Sequence, residues 1–296
     1  MPDQTLPIPK VDHAIICGSA TWGLRFPEDV AEPGVKLIQR DMAFATPFGV
    51  SDEWKLVELD GTITEDGRPR RVLVVFSHGN RLDEMDHSSQ RRLYWVLREA
   101  GVGKILAMST SGALNRAILE SDFVISGDVI ELTQTQFSLL PGRLRYDASG
   151  KQLMCPILSG VVEATARELW PAEQRVYGLS AGLVCAHCWG PRLQSPAEAN
   201  AYRSLGADLI NHSLAPEATL AREIGASFTS MTFITAVYAN YFAPPQVGII
   251  GNDRRLELAP IAGRIALNAV ARFPAQADYL APKLRSAQDP SHYAVR

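Results

Sequence analysis

Cysteine is scarce in this chain: four in 296 residues, at Cys17, Cys155, Cys185 and Cys188. That is too few to staple a chain of this length, so a disulfide scaffold is excluded. Long apolar runs are lacking too. The longest, Phe228 to Ala243, is interrupted by Thr, Ser and Asn and falls short of the roughly 20 residues that cross a bilayer. Excess positive charge is absent, since the net charge is -3 and the pI about 6.1. With no basic face, nucleic acid is not the expected partner. Met1 to Pro9 is polar and Pro-rich, not a basic-then-apolar leader. No linker, repeat or low-complexity tract divides the chain, so residues 1–296 read as one domain. These absences together predict a cytoplasmic protein.

What is present is a large hydrophobic share, 46%, enough for one substantial core. Apolar runs alternate with helical patterns. Ala14–Cys17, Arg71–Phe76, Lys104–Met108, Asp128–Leu132, Tyr177–Cys188, Ala207–Asn211 and Ser227–Thr235 read as strands. Ser88–Glu99, Val161–Leu169, Ile261–Arg272 and Pro274–Leu284 read as helices, and further helices follow Gly190-Pro191 and Pro216-Glu217. Gln134 to Gln152 reads as a long loop. The alternation predicts an α/β layered domain: a central, mixed, twisted sheet flanked by helices.

Small polar residues gather where strands stop. Gly18-Ser19-Ala20, Ser77-His78-Gly79, Ser109-Thr110-Ser111-Gly112 and His212-Ser213 all do so. In open α/β sheets ligands bind at that edge. Hydroxyl residues there suit a small anion, although Ser and Thr also cap helices. Cys185-Ala-His-Cys188 invites a metal reading, but no second Cys/His cluster completes a four-ligand zinc site, and we expect no metal. No G-x-S-x-G elbow is present, so an α/β-hydrolase triad is not supported.

Several pieces together resemble the trimeric purine nucleoside phosphorylases, and within them the 5'-methylthioadenosine phosphorylases. They are Gly190-Pro191, Ala197-Glu198, Gly206-Ala207-Asp208, Ser213 and Pro216-Glu217 in that order, with Thr46-Pro47-Phe48-Gly49, Ser51-Asp52, His78-Gly79 and Trp95 to Gly101 before them. The resemblance spans roughly His13 to Phe242. It implies the nucleoside phosphorylase fold, a homotrimer and phosphate-dependent cleavage of an N-glycosidic bond. Inorganic phosphate is then the co-substrate, and no cofactor is expected.

The resemblance also implies roles. Ser19, His78, Ser109, Thr110 and Ser213 fall on phosphate-binding positions, with Thr110 offering its backbone N–H. His78 and His212 become the catalytic candidates. His212 stands where a methionine packs on the ribose. Ser77 replaces the family's phosphate-binding arginine, and Arg81 could return that charge. The base pocket departs further. Ala236 stands for the Asp or Asn that bonds the purine, Tyr238 for a second Asp, and Leu193 for a stacking Phe. Ile234 and Trp189 would line the rest, and Asn240 is a substitute amide. These departures leave two alternatives open: a phosphate-independent hydrolase on the same fold, or a non-catalytic ligand-binding homologue.

Overall fold

The computed structural model describes residues 6–77, 88–133, 138–139, 153–190, 192–238, 247–249 and 252–276. In chain order the elements are β1 (His13–Cys17), β2 (Val35–Met42), β3 (Ala45–Thr46), β4 (Gly49–Val50), β5 (Trp54–Leu59), β6 (Arg70–Phe76), α1 (Ser88–Ala100), β7 (Lys104–Ala113), β8 (Phe123–Val124), β9 (Asp128–Glu131), α2 (Pro156–Leu169), β10 (Val176–Tyr177), β11 (Val184–His187), α3 (Pro196–Ser204), β12 (Leu209–Asn211), α4 (Leu214–Glu223), β13 (Ser227–Tyr238), β14 (Val247–Ile249) and α5 (Asn252–Arg272).

The main sheet runs β10-β8-β13-β7-β1-β6-β5-β2, and β9, β11 and β12 branch from β7. Its centre, β13-β7-β1-β6, is parallel, whereas β5 and β2 extend it antiparallel. The central strands are buried on both faces, which is why they read as unbroken apolar runs such as Val72–Val75. β2 is the exposed edge, and its sequence VKLIQRDM carries charge accordingly.

Helices cover both faces. Leu93, Tyr94 and Leu97 of α1 pack with Leu214, Ala218 and Ala221 of α4 over one side. Leu158, Val162 and Ala166 of α2 pack with Leu258, Ala262, Ile265 and Val270 of α5 over the other. The expected layered α/β architecture with a mixed sheet is therefore present.

Three local expectations need correction. Tyr177–Cys188 is not one strand. Gly178 and Gly182 bracket a single helical turn, Leu179–Ala181, and Gly182 sits at φ 64°, where a side chain would be strained. Ser109–Gly112 does not follow a strand end but lies within β7, which runs on to Ala113. The closing helix does not begin at Ile261. It starts at Asn252 and carries Pro260 inside it. Residues 274–276 are not helical, and the rest of the second expected closing helix lies outside the described residues. So does nearly all of Gln134–Gln152.

On the α2/α5 face, Phe123, Trp170 and Phe233 stack in sequence, with ring centroids 5.3 and 5.5 Å apart. The Trp170 indole N–H donates to the Ser121 carbonyl, 2.9 Å away. Phe233→Ala is expected to destabilise the fold by about 3–5 kcal/mol. Leu193→Ala, at a side chain left 56% exposed, should fall within about 0.5 kcal/mol of the parent. Urea unfolding of both variants, compared by midpoint at constant slope, checks the pair.

Candidate active site

Two hydroxyl side chains meet directly. β1 ends at Cys17, and the turn Ser19–Thr21 brings Ser19 over β7. Ser19 Oγ lies 2.8 Å from Thr110 Oγ1 and accepts the Thr110 backbone N–H at 3.0 Å. The Thr110 N–H, assigned to phosphate by resemblance, here donates to Ser19.

Asn211, the last residue of β12, ties this pair to α4. Its amide nitrogen donates to Ser109 Oγ (3.0 Å), the Thr110 carbonyl (3.0 Å) and Ser111 Oγ (3.3 Å). Its amide oxygen accepts the Ser213 N–H (2.7 Å), the Leu214 N–H (2.9 Å) and the Ser213 hydroxyl (3.2 Å). Ser213 itself makes no capping bond to the helix, so Asn211 caps α4 in its place. Thr232 of β13 extends the chain of hydroxyls by donating to Ser111 Oγ at 3.0 Å. Ser19, Ser109, Thr110 and Ser213 thus share one network. The sequence reading missed Asn211, although an Asn just before a helix start is itself a capping signal.

Behind Ser213 lies Glu217, one turn into α4 and only 4% exposed. Burial pushes its carboxyl up to about 8, partly opposed by a hydrogen bond from Ser213 and by the Ser77 hydroxyl. Ser77 Oγ is itself buried and makes no hydrogen bond of ordinary geometry. The Tyr94 hydroxyl of α1 donates to the Glu217 backbone carbonyl at 2.6 Å. His78 and Arg81 lie outside the described residues.

His212 is half-buried, with Nδ1 2.8 Å from the Cys188 carbonyl. A carbonyl can only accept, so Nδ1 carries the hydrogen and Nε2 keeps a free lone pair. Burial lowers the imidazole pKa, only partly offset by that carbonyl, and the ring is neutral at pH 7. A neutral His212 can therefore accept a hydroxyl proton but brings no charge.

The expected base-pocket residues are only partly brought together. Tyr238 and Ala236 pack with Ile210 and Cys188 in one small cluster, and a β-bulge between Ile234 and Ala236 shifts the register there. Gly112 lies so near that a Cβ on it would meet the Tyr238 ring at 2.5 Å. Trp189 donates from its indole N–H to Thr133 Oγ1 (3.1 Å) and stands edge-on to His187. Ile234 is wholly buried in the main core, and Leu193 is largely exposed. Asn240 lies outside the described residues. A cavity of about 330 Å³, lined by Thr21, Trp22, Lys55 and Phe76 among others, adjoins the Ser19 turn but includes none of the networked hydroxyls.

The signature residues are largely architectural. Asp208 accepts the Val184 N–H (3.0 Å) and the Asn115 side-chain amide (2.8 Å) on its carboxylate, locking β11 against the end of β7. Glu198 closes a capping box with Ser195 at the start of α3 and takes a two-pronged grip from Arg192 at 2.6 and 2.7 Å. That grip, with the Ser195 N–H, holds its carboxyl down to about 2.

Residues 36–259 match the family model described as the phosphorylase superfamily. The chain belongs to that superfamily. It is 28% identical over 213 residues to the probable S-methyl-5'-thioinosine phosphorylase of Methanothermobacter thermautotrophicus, covering 72% of this chain and 69% of that one. It is 30% identical over 203 residues to the purine nucleoside phosphorylase of Drosophila pseudoobscura pseudoobscura, covering 67% and 66%. Among solved structures, methylthioadenosine phosphorylase from Schistosoma mansoni in complex with adenine superposes with a TM-score of 0.70 at 20% identity, covering 94% of this chain and 96% of that one. At that identity the match bears on the fold, and it agrees with the layered architecture.

Asn211→Ala strips three acceptor contacts from the Ser213 and Leu214 groups, and leaving buried polar groups unpaired costs about 1–3 kcal/mol. Asn211→Asp keeps the acceptors but removes the donors and introduces a negative charge. The expected outcome is that Ala lowers the unfolding midpoint, while Asp weakens anion binding at least as much as Ala does. Urea unfolding and phosphate titration of both variants test this split.

Proposed function

We propose that this phosphorylase cleaves the N-glycosidic bond of a purine nucleoside, or of a 5'-methylthio-nucleoside, with inorganic phosphate as nucleophile. One observation carries the reading: the Ser19 and Thr110 hydroxyls meet, and Asn211 links the Thr110 carbonyl to the Ser213 hydroxyl, at one rim of the sheet in a chain of this superfamily. The names of its relatives, which include S-methyl-5'-thioadenosine and 6-oxopurine nucleoside phosphorylases, point the same way.

In this reading phosphate sits against the hydroxyl cradle at the N-terminus of α4, where the helix dipole favours an anion. The sugar lies beside His212, whose Nε2 accepts a hydrogen bond from a ribose hydroxyl. As the bond to the base breaks, the sugar turns cation-like and the held phosphate stabilises it at close range. Positioning and fixed dipoles supply the rate. No group beyond phosphate is needed. We further propose a homotrimer in the cytoplasm.

Base recognition is the unusual part. Ala236 offers no side-chain donor or acceptor, so the pocket selects by shape, and 6-amino and 6-oxo purines should be distinguished weakly. The loss of arginine at Ser77 and of the acid at Ala236 favours one second reading, a hydrolase in which water replaces phosphate.

A panel of adenosine, inosine, guanosine and their 5'-methylthio analogues, assayed with and without phosphate, separates the two. Phosphorolysis predicts base release that rises with phosphate; equal release without it supports hydrolysis. Ser213→Ala and Ser19→Ala should each raise the phosphate KM by about tenfold, the equivalent of one hydrogen bond to a charged group. Ala236→Asp should raise turnover of adenine nucleosides over hypoxanthine ones; an unchanged ratio removes position 236 from the base pocket.

A further inference from the structure

The opposite rim of the sheet, where the central strands begin, carries three basic side chains in a row. β6, β1 and β7 are adjacent and parallel, and their first residues are Arg70, His13 and Lys104. His13 is in register with Lys104 on one side and with Val72 on the other. In-register partners of parallel strands share a face, and Arg70, two residues before Val72, shares it too. Ile15, Val72 and Leu106 mark that face as the one α5 covers. Neighbouring strands lie about 4.8 Å apart, and all three basic side chains are buried.

Two of the three have an acid of their own. Lys104 Nζ donates to Asp12, just before β1. Arg70 donates to Asp66 at 3.3 Å and uses its other nitrogen on the Val270 (3.1 Å) and Phe273 (2.5 Å) carbonyls. Those carbonyls close the C-terminal end of α5, so Arg70 ties that end to the sheet.

His13 is not provided for in this way. Its Nδ1 is 3.9 Å from Asp12 Oδ2, beyond hydrogen-bond reach. Its buried Nε2 has no hydrogen-bond partner among the described residues. The charged groups that face the ring are Asp12 from its own segment, Lys104 from β7, Arg70 from β6 and Asp66 from the turn before β6. On α5, Arg272 is paired with Glu168 of α2 at 2.7 Å. A neutral ring fits this setting. A protonated ring carries an Nε2–H that meets no acceptor and sets a third positive charge between Lys104 and Arg70, where like charges on adjacent strands repel.

We propose that His13 is an acid-sensitive latch: its neutral ring lets Arg70 hold the end of α5 on the sheet, and its protonation loosens that end. The latch is independent of the phosphate-site reading, since the hydroxyl cradle lies at the other rim. Burial lowers the imidazole pKa from 6.5 to about 4; Asp12 only partly offsets this, and Lys104 and Arg70 add to it. The unfolded chain takes up the proton near 6.5, whereas the folded protein resists it down to about 4. Stability gained from the neutral ring is therefore complete above 6.5 and is lost as the pH falls toward 4.

Hydrogen exchange of the full chain, corrected for the intrinsic rate at each pH, tests the latch at the amides of residues 265–273. Between pH 7 and 5 their protection should fall at least about tenfold more in the wild type than in His13→Gln, which keeps a neutral side chain at every pH. Taking the difference between the two proteins removes the contribution of other histidines, His212 included. Thermal unfolding at pH 7 checks that the variant is folded. Where it is not, the wild type decides alone: NMR titration of the His13 ring should give a midpoint well below 6.5. A parallel fall of protection in both proteins, or a ring midpoint at or above 6.5, overturns the latch.

Discussion

One side-chain amide holds the candidate site in register. Asn211 is the last residue of a three-residue strand, and its two ends do opposite jobs. The nitrogen grips the hydroxyl run of β7, and the oxygen caps α4. A side-chain amide is uncharged and can donate and accept at fixed separation. A carboxylate could not reach β7 as a donor, and a hydroxyl is too short to span both elements. The relative placement of Ser19, Thr110 and Ser213 therefore depends on a single group that is itself 4% exposed. Burial makes that group effective, because its hydrogen bonds compete with little water.

The same logic explains what two of the most recognisable residues do. Asp208 and Glu198 are spent on N–H groups that strand and helix ends would otherwise leave unpaired. Gly206 adopts φ 94° to turn from α3 toward β12. These are demands of chain geometry, and any protein with this loop order faces them.

Much of this was legible in the sequence. The two-sided burial of Arg71–Phe76 and Ser227–Thr235 marked central parallel strands, and clustered Ser and Thr residues marked the rim where they meet. The misreadings share one cause: local pattern carries no information about which partner claims a group. Tyr177–Cys188 has strand-like composition, but Gly178 and Gly182 break it. Ile261 reads as a helix start, yet the helix begins at Asn252 and runs through Pro260.

Charge sets the character of the cradle. Among the described residues, the groups gathered at Asn211 are neutral hydroxyls and amides, helped by the dipole of α4. Such groups hold an anion through oriented hydrogen bonds, which lose strength steeply when a donor turns away. A guanidinium tolerates misorientation far better, because its charge acts at any angle. With serine at position 77 that tolerance is gone there, and correct aim of each hydroxyl matters more.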